Sequence, residues 1–304
     1  MADGALGRRL RPDPLHDHDL QAALARWNRA RLAPQLPRPD WAEGLQREYE
    51  MKQLELDFIE TTRAAQTARA AAAPRDADGF VAWFEDLKET GPGQNDPLFP
   101  WLAERATKDE MRWFVDQEAA GEAGFDDLVA MSQVKLPPQA KLEMARNYWD
   151  EMGRGNAKGM HGPMLEALVH ALKVTPRIET TIAPSLALGN TMAAFATNRT
   201  YAYHCIGALG VIEMTAPWRA AQVSLALRRL NVSAKARHYF DLHAVLDIKH
   251  SEAWNKEVFH SIVAQTPDAA PALAEGALMR LQCGALCFEA YRHHFWNGDG
   301  KAPA

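Results

Sequence analysis

The chain has 304 residues, of which 47% are apolar and 24% are charged, so it can bury a substantial core and lacks the composition of a disordered chain. Its net charge of −5 argues against nucleic acid or an anionic membrane as the main partner. The N-terminus has arginines but no apolar segment of a signal peptide, and no run of about 18 apolar residues predicts a transmembrane helix. The three cysteines provide no disulfide framework, so we expect a reducing, cytoplasmic location.

The first part of the chain predicts helices between about residues 20 and 73, interrupted by the proline-rich segment PQLPRPDW. The stretch 41–73 is rich in Ala, Glu, Leu, Gln and Arg and contains no internal proline, which favours one long helix. A stop signal, PRDADG, then precedes the short helical segment FVAWFEDLKETG. We therefore treat residues 1–90 as an N-terminal helical extension.

From residue 91 to residue 304, apolar-periodic segments of helical length alternate with Pro or Gly punctuation, and no alternating β-branched strand is found. The predicted helices span residues 108–120, 123–134, 137–152, 160–173, 176–195, 199–214, 217–229, 233–248, 251–265 and 268–295. The predicted class is all-α, with residues 91–304 forming one helical domain. Cys283 and Cys287, four residues apart, are interpreted as small core residues in one of these helices.

The segment YFDLHAVLDIKH places His243, Asp247 and His250 on one helical stripe, because steps of four and seven residues return to nearly the same direction. The flanking residues are mostly apolar, and a polar stripe on such a helix is costly to bury unless something satisfies it. Metal ligation is one interpretation. The other is a solvated face that carries two histidines by chance.

Glu213 follows a run of small and apolar residues in YHCIGALGVIEMTAPW, which predicts a buried carboxylate. Such a carboxylate must be paired or bind a metal, and Arg219 is the nearby candidate for an ion pair. His204, in the same segment, is interpreted as a satisfied core or pocket histidine rather than a ligand.

Glu151 and His161 flank the glycine-rich stretch of WDEMGRGNAKGMHGPML. In a continuous helix they would point in different directions, and the glycines would allow a distortion that brings them together. The alternative is an ordinary helix end with an exposed Glu151. Glu118, one turn beyond Phe114, is the weakest candidate, and Glu122 continues the same stripe.

Together these groups offer carboxylates and imidazoles from four helices, which is the ligand set of a dinuclear iron or manganese site in a helical bundle. The candidate ligands, in chain order, are Glu118, Glu151, His161, Glu213, His243, Asp247 and His250. Zinc would more often recruit cysteines or a set of three histidines.

The order Glu151…His161…Glu213…His243-xxx-Asp247-xx-His250 resembles the heme-oxygenase-like diiron oxidases, also called iron-containing redox enzymes. The resemblance is carried by WDEMGRGNAKGMHGPML, GVIEMTAPW and HYFDLHAVLDIKH, and spans roughly residues 95–270. It implies a heme-oxygenase-like seven-helix bundle that binds two irons, cycling between Fe²⁺ and Fe³⁺, and no heme. A manganese–iron pair stays open, because oxygen and nitrogen ligands suit both metals.

The resemblance also implies the chemistry. Members use O₂ as co-substrate through a peroxo-diiron(III) intermediate to oxygenate nitrogen, desaturate or cleave C–C bonds of fatty acids or amino acids. Glu213 would bridge the irons, and Glu118 would take the place of an extra carboxylate that some members have. Other members carry a carboxylate where this chain has Arg154 and Lys158, so loose binding of the second iron is expected. Arg219 and Arg146 are the candidate anchors for a substrate carboxylate.

Three hypotheses follow. The first is an O₂-dependent diiron oxidase or oxygenase acting on a small amine or carboxylate, amino-acid derived, with an external electron donor where the reaction needs one. The second is a metal-independent relative of the cofactor-maturing or thiaminase type. The third is a non-enzymatic binding module that uses the 41–73 helix as a partner surface, and this extension is also compatible with a homodimer.

Overall fold

The computed structural model describes residues 13–37, 39–122 and 124–296. Residues 1–12, where the sequence predicts no signal peptide, lie outside that range. The helices are α1 (His18–Leu32), α2 (Trp41–Ala64), α3 (Thr67–Ala70), α4 (Ala77–Thr90), α5 (Leu98–Glu104), α6 (Lys108–Gly121), α7 (Phe125–Ser132), α8 (Pro138–Glu151), α9 (His161–Leu172), α10 (Ala183–Thr197), α11 (Ala202–Arg229), α12 (His238–Ala253), α13 (His260–Gln265) and α14 (Ala270–Phe295). The described residues contain no strand, which confirms the all-α prediction. None of their helices has the length and apolarity needed to cross a membrane.

Helix α11 lies at the centre of the fold, packed against α12 and α14. Two glycines allow α11 and α14 to cross in close contact. A Cβ added to Gly207 would lie 1.9 Å from the carbonyl oxygen of Leu273, and one added to Gly276 would lie 2.0 Å from that of His204. Larger residues would force the helices apart, so this crossing sets the position of every side chain that α11 contributes to the interior.

The helices before residue 90 share the main core with the later ones. Leu24, Phe58 and Phe84 are buried in the same cluster as Leu209 of α11 and Ile262 of α13. The N-terminal helices therefore pack onto the body of the protein, while the predicted division at residue 90 stays a prediction.

Helix α11 continues through Pro217, where the sequence analysis placed a break between two helices. Proline removes one backbone donor and crowds the preceding turn. The residues on both sides, including Val211 and Val223, are buried against neighbouring helices, and this packing outweighs the local cost. The prediction of two helices here was wrong.

Three other predicted boundaries were also wrong. The segments 233–248 and 251–265 form one helical run from His238 to Gln265, with a π-helical turn at Trp254–Phe259, so His250 lies on the same helix as His243. Helix α2 ends at Ala64 instead of continuing to residue 73. Helix α10 begins at Ala183, after an irregular segment with a short 3₁₀ turn, rather than at residue 176.

Candidate metal centre

Helix α12 turns its polar stripe inward. His243, Asp247 and His250 are 7%, 3% and 6% exposed, whereas Val245 and Ile248 on the outer face are 64% and 49% exposed. This arrangement is the reverse of an ordinary amphipathic helix, in which the apolar residues face the core. The interpretation of the stripe as a solvated face is wrong.

Glu151 ends α8 and His161 begins α9, and the loop between them folds back on itself. Gly153 has a φ of +60°, and a Cβ there would lie 2.5 Å from the carbonyl carbon of Gly159, so only glycine fits this close approach. The turn brings Nδ1 of His161 within 2.8 Å of the Glu151 carboxylate. Glu151 is 4% exposed, which rules out the exposed helix end considered above.

Glu213, on α11, is 2% exposed and faces α8 and α12. Asn147 donates a 2.6 Å hydrogen bond from Nδ2 to one carboxylate oxygen, and Nδ1 of His250 lies 3.3 Å from the other. Arg219 does not pair with it, because that guanidinium donates to the carbonyl and hydroxyl oxygens of Thr215. The prediction of a buried Glu213 is confirmed, and the alternative of an ion pair with Arg219 is wrong.

The carboxylates and imidazoles form two groups with the geometry of a metal site. One contains Glu151, His161 and His243, and the other contains Glu151, Glu213 and His250; within each group the ligand atoms lie within 4.8 Å of one another. Glu151 belongs to both groups. The resemblance implied that Glu213 bridges the metals; Glu213 belongs to one of the two groups, and its bridging role stays a prediction.

Hydrogen bonds on the outer side of two histidines orient their rings. Nδ1 of His243 donates to the carbonyl oxygen of Tyr239 at 2.6 Å, which leaves Nε2 facing Glu151. Nε2 of His250 donates to Asp150 at 3.2 Å, which leaves Nδ1 facing the carboxylates. Such outer partners fix the tautomer that a metal ligand requires.

The buried carboxylates of this site favour the binding of protons or cations, and the pKa values of three residues show this effect. Burial lowers the pKa of His250, but Glu213 and Asp150 outweigh it and raise the pKa to about 10. Burial works against a charged His161 as well, yet Glu122 and Glu151 hold its pKa well above the usual range. Burial, together with the charges of Glu213 and Glu151, raises the pKa of Asp247 well above its ordinary value.

The donor set fits a pair of divalent metal ions. No ion pair joins Glu151, Glu213 or Asp247 to a lysine or arginine in the described part of the chain. The buried Nδ1 of His250 and Oδ1 of Asp247 also make no hydrogen bond there. Buried polar atoms without partners are costly, and a bound cation would satisfy them. A mixture of carboxylate and imidazole donors suits iron or manganese.

Helix α6 and the residue that caps its C-terminus supply two glutamates, and the one nearer the centre is not the one predicted. Nε2 of His161 lies 3.8 Å from Glu122, whereas Glu118 accepts a 2.8 Å hydrogen bond from the hydroxyl of Tyr291. Neither glutamate belongs to the two ligand groups. In the sequence Glu122 is the next position on the same stripe, and the local pattern did not show which of the two glutamates lies nearer the candidate ligands.

The remaining candidates lie elsewhere. Arg146 is 62% exposed, pairs with the buried Glu143 and does not line the cavity beside the ligand groups, so its expected role as a substrate anchor does not fit its position. His204 pairs with Glu275 at 2.9 Å, in agreement with its interpretation as a core histidine. Cys283 and Cys287 are buried free thiols of α14, as the sequence indicated.

A cavity of about 160 Å³ opens beside the two ligand groups. Its apolar walls come mainly from α6, α10, α11 and α14. Its polar lining includes Glu151, Glu213 and Asp247 from the centre, with two arginines farther along α11 and α14. A small molecule in this cavity would contact the carboxylates and imidazoles directly.

One known family matches the part of the chain that contains these residues. A family model described as iron-containing redox enzyme matches residues 112–285, which is more than half of the chain. The matched range contains all seven candidate ligands and leaves out the N-terminal helices α1–α5. No curated protein matches this chain.

Proposed function

The chain belongs to the iron-containing redox enzyme family, and on this premise we propose that it is an O₂-dependent non-heme diiron oxidase or oxygenase. The observation that carries the proposal is the position of Glu151 in two ligand groups, each completed by imidazole and carboxylate donors. A carboxylate shared between two sites favours a pair of metals over a single ion.

Each proposed ligand has a distinct role. Glu151 would contact both irons, with His161 and His243 on one side and Glu213 and His250 on the other. Asp247, 3.9 Å from Nδ1 of His250, would complete the second side. Bound iron would supply the activation of O₂ and the oxidation of the substrate.

Residues around the ligands would hold them in position and keep water out. Asn147 fixes one oxygen of Glu213, and Asp150 fixes the outer nitrogen of His250. The hydroxyl of Tyr239 lies 3.1 Å from Nε2 of His161 and lines the cavity, where it can hold or pass a proton. Phe114 and Phe288 exclude water from the space beside them.

The proposed substrate is a small, amino-acid-derived amine or carboxylate, and the proposed reactions are N-oxygenation, desaturation or C–C cleavage. An external electron donor belongs to the proposal for those reactions in which the substrate supplies too few electrons to reduce O₂. We also propose a cytoplasmic protein that acts on a small molecule, independent of nucleic acid or membrane, with a homodimer as its assembly.

The test is O₂ consumption by iron-loaded protein in the presence of candidate amino acids, amines and carboxylic acids, with products identified by mass spectrometry. Substrate-dependent O₂ uptake and an oxidised product are expected. His243→Ala should abolish both and lower the iron content, and Arg146→Gln serves as the surface control. A His243→Ala protein that keeps its full iron content and activity would refute the proposal.

A further inference from the structure

Two arginines line the cavity without a carboxylate partner of their own. Arg219 lies on α11 and Arg280 on α14, and both face the space that the metal-ligand carboxylates also line. The guanidinium of Arg219 lies 5.3 Å from the ring centre of Phe288. Two guanidinium charges that line one cavity repel each other, so placing both arginines there is unfavourable unless an anion lies beside them.

Arg280 makes no hydrogen bond or ion pair with the described residues, and its buried Nε is without a partner. Arg219 donates from Nε and one terminal nitrogen to Thr215, a neutral residue. Burial, followed by the charge of Arg280, lowers the pKa of Arg219 to about 9. The two guanidinium charges are therefore not neutralised by an ion pair within the described residues.

The nearby acids do not supply that charge. Asp96 is already paired with Arg292. Glu118 accepts a hydrogen bond from Tyr291, and burial raises its pKa despite the opposing effects of that bond and of both arginines. Neither acid forms an ion pair with Arg219 or Arg280, and Glu122, whose charge also acts on Arg280, lies beside His161. The cavity that both arginines line is therefore open to an external anion.

We propose that Arg280 and Arg219 bind the carboxylate of the substrate, which makes that substrate a small carboxylic acid or amino acid rather than a simple amine. This inference rests on the proposed function for its reaction, but the anion site itself is defined by the two arginines. A guanidinium matches a carboxylate with two parallel hydrogen bonds, and two of them would hold it in a fixed orientation.

The spacing of Glu213 and Arg219 along α11 sets the distance between the proposed anion site and the metal ligands. Glu213 and Arg219 are six residues apart on this helix, which is about 9 Å along its axis. Ala216, between them on the same face, lines the cavity together with Ile212 and Leu188. A carboxylate held by the arginines would therefore direct a short apolar chain toward the metal ligands.

The test is calorimetric binding of butanoate, hexanoate, octanoate, norleucine and hexylamine to the full chain, both metal-free and after anaerobic loading with Fe(II). We expect at least one carboxylate to bind and hexylamine to bind much more weakly. Arg280→Gln and Arg219→Gln should each weaken carboxylate binding about tenfold to a hundredfold, the usual cost of a lost hydrogen bond to a charged group. Arg146→Gln, the surface control, should leave it unchanged.

Two further measurements separate an anion site from a structural role of the arginines. Arg280→Gln should not lower the melting temperature, because Arg280 has no partner to lose among the described residues. Arg219→Lys should restore part of the affinity lost in Arg219→Gln. The proposal is overturned if no carboxylate binds, if hexylamine binds as tightly, or if both glutamine variants bind as the wild type does. Arginine-dependent binding by a chain that takes up no iron would keep the anion site and refute the diiron function.

Discussion

Two buried clusters in this protein pair histidines with glutamates, and they differ in how their charges are balanced. In the first, which we call the α2–α14 network, Glu275 accepts hydrogen bonds from His204 at 2.9 Å, Thr67 at 2.9 Å and Arg63 at 3.3 Å. Arg63 also pairs with Glu60 at 2.6 Å. Every carboxylate there has a cation or a hydroxyl beside it, so its negative charge is balanced without a ligand.

The second cluster is the candidate metal centre, and within the described part of the chain its carboxylates have only histidines as ion-pair partners. Glu151 pairs with His161, and Glu213 pairs with His250. Arg154, three residues after Glu151, pairs with Asp150, and its side chain is 70% exposed. The charges of this cluster are balanced only if protons or metal ions are taken up.

The difference shows that burial and residue type do not by themselves identify a metal site. Both clusters are rich in Glu and His, and both lie inside the fold. What separates them is Arg63, a cation that the first cluster has and that the carboxylates of the second lack among the described residues. A buried imidazole nitrogen without a partner among those residues occurs in both clusters, as Nδ1 of His204 and Nδ1 of His250. The lack of a lysine or arginine partner for Glu151 and Glu213 in the described part of the chain argues against a metal-independent enzyme, whose buried carboxylates would be expected to have cations beside them.

The largest effect is expected from paired glutamine substitutions in the two clusters. Glu151→Gln should lose both metals, because Glu151 belongs to both ligand groups. Glu275→Gln should keep the metals and instead lower the free energy of unfolding by about 1–3 kcal/mol through loss of charged hydrogen bonds. Metal analysis and denaturant unfolding of both variants check this contrast. Full metal content in Glu151→Gln would remove the proposed distinction between the clusters.

The next effect separates the two halves of the centre. His243→Ala disturbs only the group with His161, and His250→Ala only the group with Glu213. Each variant should therefore retain about one metal per chain, whereas His204→Ala, in the α2–α14 network, should retain both. Complete loss of metal from either single variant would indicate that the halves are not independent.

The third effect is the pH dependence of metal binding, which should reveal the protons held by the metal-free centre. His161, His250 and Asp247 have pKa values raised above their ordinary ranges, so the metal-free centre holds protons near neutral pH. Metal ions must displace these protons, so affinity should rise with pH, by about tenfold per pH unit for each proton released. Metal titrations at pH 6.5 and pH 8 with a competing chelator measure this slope. A flat profile would contradict the protonated state described here.

The smallest expected effect is the loss of metal affinity on substituting the two glutamates at the C-terminal end of α6. Glu122→Gln should weaken metal binding about tenfold, since Glu122 lies beside His161 at the edge of the centre. Glu118→Gln should leave metal binding unchanged, because Glu118 is engaged by Tyr291. Competitive metal titration of the two variants ranks them. A larger loss of metal affinity in Glu118→Gln than in Glu122→Gln would instead support Glu118 as a ligand, as the sequence predicts.

The sequence predicted those parts of the site that depend on local periodicity. The stripe of α12 follows from helical geometry, and the glycines between Glu151 and His161 signalled a change of direction. Arg280 was missed because it lies on an apolar helix and its significance comes from Arg219, sixty-one positions earlier. The course of α11 through Pro217 was also missed, since packing from distant helices decided it.

The central claim is tested most directly by anaerobic titration of the metal-free protein with Fe(II), with metal counting, followed by rapid mixing with O₂. We expect about two irons per chain, one for each ligand group, and a transient visible absorption band after O₂ is added. Fewer than one bound iron per chain, with no O₂-dependent change even when a carboxylate substrate candidate is present, would contradict it.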